Sequence, residues 1–291
     1  MRTDFTVRLS RRFAGGLSIR SGTATSLDIA LWLGAVSEAI AIPDEPDAEG
    51  LTKRDVWMVS DEAPVDITGS TMLRATGLRS HGLLVRPLER LAKTEVSLGS
   101  SGAKYRLWQG WEADPVGRDN PIDRGIVSGM ALATAMLEGQ RFPVEVNLSA
   151  MSAFRSRFSA VVYLRALAWM AGHGTPTAWH RTKPGPRVSL TVPMADLPRA
   201  LGTDSLAMMG DWNAKALGAR GRGGPVHEDL ATAGIRLSTE WRMEGVGYGS
   251  REVPTALRIT VSRIAGAQRR PLPRRPRQSS KSASSSASQP A

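Results

Sequence analysis

The chain has 291 residues, of which 41% are hydrophobic and 22% charged. This composition excludes a wholly disordered protein and fits one large domain or two ordinary ones of about 100–200 residues each. Cysteine is absent, which removes disulfides, thiolate metal sites, iron–sulfur clusters and cysteine nucleophiles together, and the net charge of +11 comes from 38 basic against 27 acidic residues.

Six of the basic residues are Lys and 32 are Arg, a bias that suits planar, bidentate contacts to phosphate or guanine. The tail from 265 onward holds six of these charges and no acid, so the remainder carries +5 (11 − 6). Charge alone therefore does not establish nucleic-acid binding. Near the N-terminus, Ser10-Arg11-Arg12-Phe13 resembles a twin-arginine export signal. The apolar stretch after it carries Asp28 and Glu38, which an export segment should not, so a cytoplasmic location is expected. The best apolar run, Phe158 to Ala171, is broken by Arg165 and falls short of the roughly 20 residues of a membrane span.

Residues 1–24 read as an N-terminal arm. From Thr25 to Ile40, Ile29, Leu33, Val36 and Ile40 recur on one helical face, with Thr25 as cap. Val56-Trp57-Met58-Val59 reads as a short strand, and Asp66 to Thr76 as a capped helix ended by Gly77. In the next segment Leu84, Leu88 and Leu91 form an apolar seam, while Arg79, Arg86, Arg90 and Lys93 recur as a basic row facing away from it. Pro87 interrupts this helix unless it lies in the first turn, where its missing N–H is harmless; Ser80, His81 and Gly82 then form the approach loop. A hairpin follows: Val96 and Leu98 alternate, residues 99–102 turn, and Tyr105 and Leu107 alternate back, with Lys104 and Arg106 on the opposite face.

That order of elements is the order of a winged helix-turn-helix, whose second helix enters the major groove while the hairpin lies against the backbone. A generic α+β domain with a merely solvated basic face accounts for the seam equally well. The near absence of acids from the basic row, Glu89 excepted, and the basic hairpin arm favour DNA.

Residues 111–125 read as a long loop or junction. Beyond it, Ser152 to Ala171 reads as one long core helix, with Arg155 and Arg157 on its first turns and Gly172 as its stop. A strand over 187–192, helices over 196–202 and 205–217, and two strands of clean period 2 (235–244 and 257–262) complete a second run of the same order. A Gly-rich turn holding Tyr248, Ser250 and Arg251 joins those strands. Leu73-Arg74-Ala75-Thr76-Gly77 is echoed by Pro198-Arg199-Ala200-Leu201-Gly202, each after a strand. From Gly266 the chain is Pro, Arg and Ser with almost nothing to bury, so a disordered tail is expected, either solubilising or binding DNA non-specifically.

Phe154-Arg155-Ser156-Arg157-Phe158, followed by Tyr163-Leu164-Arg165, resembles the F-x-S-[KR]-[YF] … LY-x-[RL] helix of the theta-type, iteron-binding plasmid replication initiators. Asp196 to Gly202 is similar to the helix after the first strand of their second module. The resemblance implies two winged-helix domains and an origin-binding monomer with an autorepressing dimer. It also implies recruitment of the host initiator and helicase, with no catalysis by the protein itself, and no cofactor is expected. The sequence departs from that pattern at Gly218 to Pro225, where glycines interrupt the family's long DNA-reading helix. Each glycine costs a helix about 1 kcal/mol, so a loop is expected there. It offers Arg220 and Arg222 to phosphate, and Val226 to Ala233 forms a separate turn.

Motifs of catalysis are missing. There is no G-x-x-x-x-G-K-[ST], no G-x-S-x-G and no His-x-His, and His227-Glu228 lacks the second His of a zincin helix. No metal site is expected from His81, His173, His180 and His227.

The fold expected is α+β: two winged helix-turn-helix domains in tandem (25–112 and 145–264), an arm at 1–24, a junction at 113–144 and a basic tail at 265–291. The expected DNA-binding residues are Arg79, Ser80, His81, Arg86, Arg90, Lys93, Lys104 and Arg106 in the first unit. In the second they are Arg155, Arg157, Lys215, Arg220, Arg222 and Arg251. The expected partner is double-stranded DNA at origin repeats. A transcriptional regulator of the same architecture, or an interaction protein that binds no DNA, fits these residues as alternatives.

Overall fold

The computed structural model describes residues 5–41, 45–60, 62–66, 69–98, 104–112, 124–136, 143–172, 185–203, 206, 208–245 and 252–264. In chain order these form β1 (Thr6–Leu9), α1 (Arg11–Gly16), β2 (Leu17–Ser21), α2 (Ser26–Ala41), α3 (Lys53–Val59), β3 (Ala63–Asp66), α4 (Gly69–Thr76) and α5 (Val85–Ala92). The middle of the chain supplies β4 (Glu95–Leu98), β5 (Lys104–Arg106), β6 (Gly110–Glu112), β7 (Arg124–Val127), α6 (Gly129–Ala135), β8 (Val144–Asn147), α7 (Leu148–Met151) and α8 (Ser159–Met170). Last come β9 (Arg187–Pro193), α9 (Leu197–Leu201), α10 (Met209–Trp212), α11 (Pro225–Thr232), β10 (Ile235–Gly245) and β11 (Glu252–Arg263). The molecule is mixed α/β, with small antiparallel sheets ordered β1-β8, β2-β4-β5, β3-β7-β6 and β10-β11-β9.

Two helices organise the core. Ile29, Leu31, Trp32, Leu33 and Val36 of α2 are wholly buried, and α2 packs on α4, α5, α6, α7 and α8. Every residue of α8 is buried. Both sequences are apolar nearly all round, which marks a helix enclosed by others. The buried apolar side chains make one continuous cluster from Val7 to Val261.

Four expectations are corrected. Residues 6–21 are no arm: β1 pairs with β8 with Val7 opposite Val146, β2 pairs with β4, and α1 packs its Phe13 against Trp32 at 5.5 Å between ring centroids. Residues 124–136 are no junction either, since β7 holds β3 and β6 together and α6 packs on α1 and α3. Val56 to Val59 is the end of helix α3, because Thr52 and Asp55 form a capping box at its start. Ser152 to Ala171 is a turn followed by α8. Asp229 accepts hydrogen bonds from the Arg155 and Ser156 N–H groups (3.0 and 2.9 Å) and from Ser159 Oγ (2.6 Å), and this holds the turn ahead of α8, with Arg155 and Arg157 in it.

The helices α4 and α9 that carry the sequence echo both stop at a glycine in the left-handed region, Gly77 (φ 68°) and Gly202 (φ 76°). The hairpin β10–β11 keeps the expected alternation from Ile235 to Trp241, with Ile235, Leu237 and Thr239 inward, and loses it at a bulge between Arg242 and Met243, which leaves Met243 exposed. The tail, 265–291, lies outside the described residues.

Candidate nucleic-acid interface

After Gly77 the chain passes Arg79 and Ser80, both exposed, and makes a single 3₁₀ turn over His81–Leu84 that runs directly into α5. Pro87 falls in the first turn of α5, so its missing N–H breaks no bond. Leu84, Leu88 and Leu91 are wholly buried, and Arg86 and Lys93 point outward. His81 is half-buried.

Arg90 does not belong to the outward row. Its Nε and Nη2 each donate to the carboxylate of Asp28 at 2.7 Å, and the Asp28 side chain is 0% exposed. Asp28 also accepts from the Thr25 N–H at 2.7 Å. Hydrogen bonding to Asp28 raises the Arg90 pKa above its ordinary value, so Arg90 is a strut between α5 and α2.

The hairpin β4–β5 carries Lys104 and Arg106 outward, as expected. Glu95 stands opposite Arg106 and lies 3.9 Å from Lys104 Nζ, so the arm has an acid between its two cations. The third strand, β2, adds a basic residue that an arm at 1–24 leaves out. Arg20 Nε donates to Ser97 Oγ at 2.7 Å. Arg20 and Arg157 line a small cleft with Gly22, Phe158 and Thr203. The alternation of Leu17 and Ile19 with polar residues is the sequence signal that marks this strand.

In the second half Arg157 lies over the Phe158 ring at 4.8 Å, and Arg155 stands 3.9 Å from Glu228 on the exposed surface. Lys215 donates to Asp211 one helical turn back, at 2.8 Å. The helical path is broken after Leu217, as the glycines predict. α10 continues as a π-turn over Asn213–Leu217, Gly218 ends it, and Pro225 opens α11, where a mere turn was expected. Arg220 and Arg222 project from the segment between, and both are exposed. Arg220 sits in the left-handed region (φ 55°), which costs a residue with a Cβ about 1 kcal/mol. Arg251 lies outside the described residues.

Two groups shape this half from beneath the surface, Arg165 wholly buried and His227 half-buried. Arg165 is fully enclosed, and burial lowers its pKa to about 9. Its Nη2 donates to Leu17 O (3.0 Å) and Ser18 Oγ (2.8 Å), tying α8 to β2. Burial also lowers the His227 pKa below 6.5. Thr239 Oγ1 gives its single proton to Gly221 O, so it accepts from His227, and the 3.1 Å contact makes Nε2 the protonated nitrogen.

No family model and no curated protein sequence matches the chain. Among solved structures, it is similar to the crystal structure of a Pi initiator protein in complex with iteron DNA. In fold, the chain resembles that initiator. The likeness has a TM-score of 0.51 and covers 91% of this chain and 100% of the other, at 11% sequence identity. Identity that low shows a shared architecture alone, and the mixed α/β arrangement of helices and small sheets in this chain is consistent with a winged-helix-like fold. No helix among the described residues is long and apolar enough to cross a membrane.

Proposed function

We propose that the chain binds repeated double-stranded DNA sites at a plasmid origin and initiates theta-type replication from them. The observation that carries this reading is the shared architecture with an initiator held on iteron DNA, extending over 91% of the chain. The outward cations support it. Arg86 and Lys93 on α5, Arg79 before it and Lys104 and Arg106 on the hairpin occupy the helix and wing of a winged-helix unit.

Two such units act in tandem, the first built on α2, α4, α5 and the β2-β4-β5 sheet. The second is built on α8 to α11 and the β10-β11-β9 sheet. Phosphate contacts fix the register on the duplex, and groove contacts read its sequence. The chain catalyses no reaction of its own. It recruits the host initiator and helicase to the melted origin, and a dimeric form represses its own promoter from the same sites. The tail adds sequence-independent affinity, since a block of positive charge is drawn to phosphate.

Footprinting on the DNA flanking the gene tests the binding. Protection should fall on tandem repeats of about 20 base pairs, two helical turns each. A plasmid carrying the gene and those repeats should replicate in a naive host. Protection without replication would leave a repressor, and absence of any shift at low salt would leave no DNA-binding role.

A further inference from the structure

Between Leu217 and α11 the chain closes on itself as an arch. Gly224 N donates to Leu217 O at 2.9 Å, Gly221 N to Gly218 O at 3.0 Å and Arg222 N to Ala219 O at 3.1 Å. The feet of the arch meet backbone to backbone: a Cβ on Gly224 would lie 2.2 Å from Gly218 N. Its crown is fixed to β10. A Cβ on Gly221 would meet Trp241 Nε1 at 2.8 Å, Thr239 Oγ1 donates to Gly221 O, and Trp241 Nε1 donates to Asn213 Oδ1 at 2.9 Å. The glycines here make a stiff element, because they permit contacts that any side chain would block.

At the top of this arch stands Arg220, the one non-glycine residue with positive φ among the described residues. Gly218, Gly221 and Gly223 take the other positive-φ positions of the arch. A segment that uses glycine at each of those positions and an L side chain at this one keeps the side chain against a conformational cost, and such costs gather at functional positions. Among the described residues neither the Arg220 nor the Arg222 guanidinium has a hydrogen bond or ion pair, in contrast to the side chains of Lys215 and Arg155 nearby.

We propose that the Gly218–Gly224 arch is a preorganised anchor for the sugar–phosphate backbone of duplex DNA, with Arg220 as its contact and Arg222 as its flank. The proposal rests on the DNA-binding reading above. A stiff arch loses little conformational freedom on binding, and a backbone contact fixes position without reading bases. Sequence specificity then depends more on the first unit.

The test is binding of a random-sequence duplex of about 30 base pairs, three helical turns, titrated across salt with Arg220→Gly, Arg220→Lys and Arg86→Ala. Arg220→Gly should bind about fivefold more weakly near 0.1 M salt, and its log–log salt slope should flatten by about 0.9, the signature of one lost phosphate contact. Its thermal midpoint should equal or exceed the wild type, since glycine relieves the left-handed strain. Arg220→Lys should keep the wild-type slope. An unchanged slope in Arg220→Gly beside a flattened one in Arg86→Ala overturns the arch and leaves the DNA-binding reading standing. A midpoint several degrees lower in Arg220→Gly also overturns it, because Arg220 would then serve the fold. A wild-type chain that shifts no duplex overturns both.

Discussion

Arg86 and Arg90 sit four residues apart on one helix, and they separate binding from stability. Arg86 is exposed, whereas Arg90 holds a carboxylate that has no access to water. Arg90→Ala would leave Asp28 with the Thr25 N–H alone, a buried charge without its counter-charge. That costs about 3 kcal/mol, the low end for a broken buried pair because the Arg90 side chain is 34% exposed. Arg86→Ala should shift unfolding in urea by less than about 0.5 kcal/mol and weaken DNA binding instead. Equal unfolding midpoints for the two variants would refute the strut. His227 gives a second residue-level test. Its folded pKa is lowered, so the unfolded chain takes up a proton first as pH falls through 6.5. Stability present above that pH is then lost at a rate of at most about 1.4 kcal/mol per pH unit, and less because the ring is partly open to solvent. His227→Gln should remove that slope in thermal melts between pH 7.5 and 5.5, where about one unit lies on each side of the ordinary His pKa. None of these partners is visible in a linear reading. Asp28 lies 62 residues from Arg90, and the helical spacing that groups Arg90 with Arg86 says nothing about what α2 places beneath it.

The elements whose apolar period is long enough to be unambiguous are also those the sequence announces. α2, α5 and the β10–β11 hairpin as far as Trp241 follow the expected spacing, and Gly77, Gly202 and Gly218 end their helices where left-handed backbone is needed. Short elements read less well. Val56 to Val59 has β-branched and aromatic residues in a row, yet the Thr52–Asp55 capping box decides for a helix in which no residue is buried. The turn before α8 depends on Asp229, more than 70 residues away in sequence, so no local pattern could place it. The wing makes the matching prediction at this scale. Glu95 lies between Lys104 and Arg106 and opposes the phosphate field of a bound duplex. Glu95→Gln should tighten DNA binding about two- to fivefold, the effect of removing roughly 0.5–1 kcal/mol of surface charge repulsion. It should also steepen the salt dependence measured by fluorescence anisotropy. Weaker binding in that variant would place the hairpin away from the backbone.

At the scale of the whole molecule, the expected division into arm, unit, junction and unit gives way to interleaving. Thr6 to Leu9 pairs with Val144 to Asn147, and Ile19 bridges to Thr203 while its N–H donates to Gly202 O at 2.9 Å. Arg165 donates to Leu17 and Ser18 from inside α8. A Cβ on Gly202 would lie 2.4 Å from Val161 and 2.9 Å from Leu17 O, so strand, helix and turn meet at that glycine without room for more. Residues 5–21 thus close the cores of both halves. Removing residues 1–24 exposes Val146, Trp32 and the Arg165 guanidinium at once, and each loses the atoms that exclude water from it. That truncation should abolish the cooperative thermal transition of the full chain, or lower its midpoint by more than about 10 °C, since several kcal/mol of packing are lost and each moves a domain of this size by about 2–4 °C. A truncated chain that melts like the intact one, with only its DNA affinity reduced, would restore the N-terminal segment to the status of an arm and separate the two halves into independent folding units.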